Sequence, residues 1–180
     1  MRPFDKTLPV VYLSPGEMYI SGKPSVVSTV LGSCVSITMY HRVLKIGAIC
    51  HGLLPVCTRT LRDNCKTTCP EPYKYIDCAF MHIQQKFQTF SMNHDEIEIK
   101  LFGGAEVLLD RVKMPGNMSI GEKNIQIAKK LISQLGYNIT ASDTGGSVGR
   151  KLFFLPHAGD VFLKRLKKTD IVNANLRLTV

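Results

Sequence analysis

Two alternating segments most limit how this chain can fold: Ser28-Thr-Val-Leu-Gly-Ser-Cys34-Val-Ser-Ile-Thr-Met-Tyr40 and Lys45-Ile-Gly-Ala-Ile-Cys-His51-Gly-Leu-Leu-Pro55. A period of two reads as extended strand, and the short polar-ended connection at 41–44 reads as a four-residue hairpin loop. Setting Tyr40 against Lys45 makes each residue i face residue 85 − i, which places Cys34 directly opposite His51. One face then carries Val35, Ile37 and Met39 with Ile46, Ala48 and Cys50, all apolar. The other carries Cys34, Ser36 and Thr38 with Gly47, Ile49 and His51. A slip of one residue would bury the polar set, so the facing of the side chains is well specified. Directly opposed side chains have Cβ atoms roughly 4.5–5.5 Å apart, close enough for a thiol and an imidazole to meet. A thiolate is a nucleophile and a neighbouring imidazolium lowers its pKa, so Cys34 and His51 are candidates for thiol catalysis. The alternative is a cysteine serving as a small buried hydrophobe beside a polar strand end. Gly32 permits a tight backbone approach beside Cys34, where N–H groups are candidates for an oxyanion hole.

At 180 residues and 44% hydrophobic content the chain fits a single domain, 1–180, with a sizeable core. No apolar run approaches the ~18 residues of a membrane span, and the opening Met1-Arg-Pro-Phe-Asp-Lys6 lacks an apolar leader. The expected compartment is the cytoplasm, where thiols stay reduced. A net charge of +9 permits acidic partners, but the excess is spread along the chain apart from Lys164-Arg-Leu-Lys-Lys168. That cluster alternates with an apolar residue and reads as a solvated strand or helix face. With no recognition helix, zinc finger or aromatic-rich RNA signature, and no Trp, nucleic acid is not the expected partner.

Around the hairpin, Val10–Leu13 and Met18–Ile20 read as short strands separated by Ser14-Pro15-Gly16, with another turn at Gly22-Lys-Pro24. Lys74–Phe90 carries Ile76, Phe80, Ile83 and Phe87 at spacings of four, three and four, one stripe of a helix. Glu96–Phe102 alternates as a half-buried strand and ends in Gly103-Gly104. Ser119 and Glu122 form a capping box for a second helix through Ile125, Ala128, Leu131, Ile132 and Leu135, with Gly136 as its stop. Tyr137–Ser142 is a further strand leading to Asp143-Thr-Gly-Gly146, and Lys151–Leu155 with Val161–Leu166 form a hairpin about His157–Asp160. The predicted class is α/β: mixed, largely antiparallel sheets in a layered sandwich flanked by helices. The paired glycines fit no phosphate loop or dinucleotide fingerprint and are expected to be structural, through positive φ or close packing. A cysteine-rich insert at about 57–78 holds Cys57, Cys65, Cys69 and Cys78. Four thiols so close invite a zinc or iron–sulfur site, with Cys57, Cys65 and Cys69 the better ligands, but no C-x-x-C pair is present. The competing reading is a set of reduced, partly buried thiols with Cys78 facing the core.

Several ordered blocks together resemble the CheD family of bacterial chemoreceptor glutamine deamidases. They are Ser28–Val35, His51 before Leu-Leu-Pro55, Lys74-Tyr-Ile-Asp77, Phe102-Gly-Gly104, Asn117–Asn124 and Asp143-Thr-Gly-Gly146, and the likeness runs from about Met18 to Leu166. The resemblance implies a CheD-like fold and a protein-glutamine glutaminase that converts glutamine side chains of methyl-accepting chemotaxis receptors to glutamate with release of ammonia. It maps the nucleophile to Cys34 and the general base to His51. The family's third position, a Thr six residues before the cysteine, falls on Ser28, with Thr29 as the fallback. No cofactor is implied; any membrane association would be indirect, through receptors, and CheC-type phosphatases are further family partners. The alternative is a non-catalytic CheD-like binding module that regulates such a phosphatase or a receptor.

Overall fold

In the computed structural model the described residues are 5, 7–57, 69–90, 93–106 and 118–166. They form nine strands and two α-helices: β1 (Val10–Tyr12), β2 (Met18–Ser21), β3 (Val26–Leu31), β4 (Val35–His41), β5 (Ile46–Cys50), α1 (Ile76–Gln88), β6 (Ile97–Gly103), α2 (Ile120–Gln134), β7 (Ile139–Thr144), β8 (Arg150–Phe154) and β9 (Val161–Arg165). A 3₁₀ turn at His94–Glu96 precedes β6. One sheet has the order β1-β3-β8-β9 and the other β2-β5-β4-β6-β7. Only β1–β3 and β6–β7 pair in parallel; the other five pairs are antiparallel. This is the mixed, largely antiparallel α/β arrangement expected.

Strand parity sets the layers. On β4, Val35, Ile37 and Met39 join Ile97, Ile99 and Leu101 of β6 and Ala48 and Cys50 of β5 in one core. Both helices close over it, α1 through Ile76, Ala79, Phe80, Ile83 and Phe87, α2 through Ala128 and Ile132. The opposite face of this five-stranded sheet meets the four-stranded one. There Ile49 packs with Val27 and Phe154, and Phe102 packs with Leu31 and Leu152. The second helix begins and ends as its sequence dictates. Ser119 Oγ accepts from the Glu122 N–H at 3.2 Å while the Ser119 N–H donates to Glu122 Oε2 at 2.7 Å, and Gly136 takes a φ of +77° just past the end of α2.

The hairpin register differs from the expected one by two residues. His41 pairs with Ile46, Tyr40 with Gly47 and Thr38 with Ile49, so residues sum to 87 rather than 85. The loop becomes Arg42–Lys45, with Lys45 at φ +56°. A shift of two preserves which face each side chain takes, so the apolar and polar faces stand as read, but Cys34 and His51 are not directly opposed. The ladder sets His51 opposite Ser36, and Cys34 is its diagonal neighbour. Nor is the first segment one continuous strand. Gly32, Ser33 and Cys34 interrupt it, and the chain passes from β3 in one sheet to β4 in the other.

Of the insert cysteines, Cys57 is buried, Cys69 and Cys78 are partly exposed, and Cys65 lies outside the described residues. Cys78 lies on α1 and, instead of facing the core, lines with Cys57, His82, Met81 and Leu131 a groove of about 460 Å³ between the helices. Among the described residues no three His, Cys, Asp or Glu side chains are grouped to hold a metal. The basic cluster is strand-like, with Lys164 and Arg165 exposed and Leu166 buried; Lys167 and Lys168 lie outside the described residues. Among the described residues no helix is long and apolar enough to cross a membrane.

Candidate active site

Cys34 and His51 flank the last rung of the β4–β5 ladder. Val35, just after Cys34, and Gly52, just after His51, exchange both backbone bonds at 2.9 Å each. The backbone of His51 is further fixed by the bond from its N–H to the Glu17 carbonyl (2.9 Å) and by the Gly16 N–H donating to its own carbonyl (2.8 Å). Gly52 must be glycine, because a Cβ there would stand 2.5 Å from Ile76 Cγ1 at the start of α1. On the nucleophile side the Gly104 N–H donates to the Cys34 carbonyl at 2.7 Å and the Ala105 N–H to the Gly32 carbonyl at 2.8 Å. Gly103, at φ +104°, lies so close that a Cβ would come within 2.2 Å of the Cys34 carbonyl oxygen. The paired glycines therefore seat the turn before β4, the structural role expected for them.

The hydroxyl beside the imidazole belongs to Thr29. Its Oγ1 lies 2.7 Å from His51 Nδ1 and 2.8 Å from the Leu13 carbonyl oxygen, to which it donates. Thr29 shares strand parity with Val27 and Leu31, which face the other sheet, so its hydroxyl crosses the interface to reach His51. Ser28 has the opposite parity; it is buried and its hydroxyl has no hydrogen-bond partner among the described residues. Adjacent strand residues point to opposite faces, so Thr29, and not its neighbour Ser28, stands beside His51.

The hydrogen bonds also set the tautomer. Thr29 has one hydroxyl proton, and it goes to the Leu13 carbonyl; the short contact to Nδ1 is then satisfied only if Nδ1 carries a proton and donates. The lone pair therefore sits on Nε2, which is buried and without a hydrogen-bond partner among the described residues. His51 is 1% exposed. Burial pushes its pKa down to about 4, against the opposing pull of the Leu13 carbonyl and the Glu17 carboxylate. Burial likewise raises the Cys34 thiol above its usual range, against its own backbone N–H. At rest the pair is a neutral thiol and a neutral imidazole, rather than the thiolate–imidazolium pair that favours a lowered thiol pKa.

Asn124, in α2, is fully buried and was singled out by the sequence only as the end of a longer block. Its Nδ2 donates to the Ser33 carbonyl at 3.0 Å and the Leu53 carbonyl at 2.9 Å. A sequence signal existed: Asn124 lies four residues before Ala128 and eight before Ile132, on the stripe that packs into the core. A further polar link joins the sheets near this end. The buried Arg150 of β8 donates from Nε to Asp143 Oδ1 of β7 at 2.5 Å and from a terminal nitrogen to the Gly145 carbonyl at 2.7 Å.

These features define a layered α/β protein with a buried imidazole, held by a hydroxyl from the facing sheet, one diagonal step from a cysteine. Residues 54–165 match the family model described as CheD chemotactic sensory transduction. Over 163 residues the chain is 39% identical to the probable chemoreceptor glutamine deamidase CheD 2 of Geobacter sulfurreducens, covering 91% of this chain and 94% of the relative. It is 37% identical to the probable chemoreceptor glutamine deamidase CheD of Maridesulfovibrio salexigens (88% and 92% covered) and 35% to that of Pyrococcus horikoshii (87% and 93%). The chain belongs to the CheD family.

Proposed function

We propose that this chain is a chemoreceptor glutamine deamidase, a hydrolase converting receptor glutamine side chains to glutamate, with Cys34 as nucleophile, His51 as base and acid, and Thr29 as the hydroxyl that orients the imidazole. Its relatives carry that activity in their names. The observation that carries the mechanism is the Thr29–His51 contact of 2.7 Å, which leaves Nε2 free to accept a proton. As Sγ attacks the amide carbon, the thiol proton passes to Nε2. The imidazolium then protonates the departing amine, so that ammonia leaves and a thioester remains. A water molecule, deprotonated by Nε2, hydrolyses the thioester to the carboxylic acid and regenerates the thiol. This scheme uses the chain's own side chains throughout. Starting from a neutral pair, the proton moves during attack, and the thiol does not need to be ionised beforehand.

The substrate would be the cytoplasmic signalling helices of methyl-accepting receptors, placing the protein in the cytoplasm and near the membrane only through them. A CheC-type phosphatase is the second partner of this reading. The test is a receptor cytoplasmic fragment incubated with the protein and mapped by peptide mass spectrometry. Glutamine-to-glutamate conversion is expected with the wild type and not with Cys34→Ala. Absence of conversion in both samples would leave a non-catalytic binding module as the better reading.

A further inference from the structure

We infer that Asn124 is a positioning residue for the Cys34–His51 pair, its side-chain amide replacing the missing rung of the ladder at the site. This rests on the assignment of those two residues above. The β4–β5 ladder ends at the Val35–Gly52 pair, and beyond it the strands separate: the Leu53 N–H turns away to the Lys74 carbonyl. The carbonyls of Ser33, immediately before Cys34, and Leu53, two residues after His51, are both acceptors and cannot bond each other. Asn124 Nδ2 supplies a proton to each, at 3.0 and 2.9 Å. Because both partners are carbonyls, only the amide nitrogen can occupy that position, which fixes the orientation of the group. Cys34 is thereby held between the Val35–Gly52 bonds on one side and the amide bridge on the other.

The same helix contacts the nucleophile turn a second time. Gly121, one turn earlier, packs so closely that a Cβ would lie 2.5 Å from the Gly104 carbonyl oxygen, and the Gly104 N–H holds the Cys34 carbonyl. Asn124 Oδ1, meanwhile, is buried with no hydrogen-bond partner among the described residues. An unsatisfied buried acceptor is destabilising, so this amide is not the choice that packing alone would make on a core stripe. What it contributes is a fixed separation between the two chain segments that carry the thiol and the imidazole. A displacement of about 1 Å there is enough to lower a rate about 10²-fold.

Asn124→Ala and Ile132→Ala, a core truncation in the same helix away from the site, are compared with wild type and His51→Ala. Two readouts are taken on folded protein: iodoacetamide alkylation of Cys34 at neutral pH, followed by peptide mapping, and kcat and KM for deamidation of a receptor fragment. Asn124→Ala is expected to slow Cys34 alkylation about tenfold, toward the His51→Ala rate, because Nε2 no longer stands ready to take the thiol proton during attack. Its kcat should fall about 10²-fold with KM little changed. Ile132→Ala should lose stability and keep both rates. If Asn124→Ala does not accumulate as folded protein, Asn124→Ser, which retains one donor, gives the same readout in part. Alkylation and kcat at wild-type values in a folded Asn124 variant, or equal losses in Ile132→Ala, would overturn the inference while leaving the deamidase reading intact. Slowed alkylation in Asn124→Ala with no deamidation by wild type would sustain the positioning role and remove the substrate assignment instead.

Discussion

At the scale of single residues, Thr29 and Ser28 are neighbours with nearly the same chemistry and opposite consequences. Thr29→Val keeps the shape but leaves His51 Nδ1–H buried with a lost partner and frees the imidazole to turn. Leaving such a donor unsatisfied costs about 1–3 kcal/mol, so a loss of about 10- to 100-fold in kcat/KM is expected. Ser28→Ala removes a hydroxyl that has no hydrogen-bond partner among the described residues and should leave both activity and stability within experimental spread. The two variants, assayed side by side, test the third member of the site. Deamidation that survives Thr29→Val and fails in Ser28→Ala would reverse the assignment. The same burial sets the acid limit of the reaction. His51 must be unprotonated to take the thiol proton, so kcat/KM should fall with a midpoint near the His51 pKa of about 4, not near 6.5.

At the scale of elements, the turn between β3 and β4 is held by backbone contacts that only glycine allows. Gly103 combines φ +104° with a would-be Cβ 2.2 Å from the Cys34 carbonyl oxygen. Gly146 has φ +71°, but a Cβ there would meet nothing within 4 Å among the described residues. Gly146→Ala should therefore cost only the conformational strain, about 1–2 kcal/mol. Gly103→Ala must add backbone overlap to that strain, and relief requires moving the residue that bears the nucleophile. Chemical denaturation together with the deamidation rate separates the two. Gly146→Ala should keep its rate, whereas Gly103→Ala should lose rate even where it remains folded. A fully active Gly103→Ala would mean that the turn tolerates movement.

At the scale of the whole molecule, burying His51 between two sheets couples the site to stability. Its folded pKa lies near 4 and the unfolded value near 6.5, so between those pH values the unfolded chain binds the extra proton. Stability is complete above about pH 6.5 and declines as the pH falls toward 4, by an amount on the order of 3 kcal/mol from this group. Urea titrations from pH 7 to pH 4 should show that decline in the wild type and a shallower one in His51→Gln. Equal slopes would place the acid sensitivity elsewhere. The Arg150–Asp143 link between the sheets acts in a lower window. Burial tends to raise the Asp143 pKa, but Arg150 and Arg165 outweigh it and hold the carboxyl below its usual range, so that contribution is lost only in more acidic solution.

Sequence by itself determined which side of each strand is apolar, because parity survives an error of two in register: the faces of β4 and β5 stand although Cys34 and His51 are not directly opposed. It also determined the two helices, whose four-and-three spacing and capping box are local, and the family, which several short ordered blocks carry. Tertiary structure alone decided the rest. The loop conformation with Lys45 at positive φ set the register, and nothing local distinguished it from the expected pairing, which has a loop of the same length. The break at Gly32-Ser33-Cys34 sends β3 into a second sheet, so the hydroxyl beside His51 comes from across an interface and depends on which of two adjacent residues faces inward. Asn124 joins Ser33 to Leu53 from ninety-one and seventy-one positions away, a contact that exists only once α2 lies against the sheet. A thiol and an imidazole could be read from the strands; the groups that hold them in place could not, since each is supplied by an element brought there by packing.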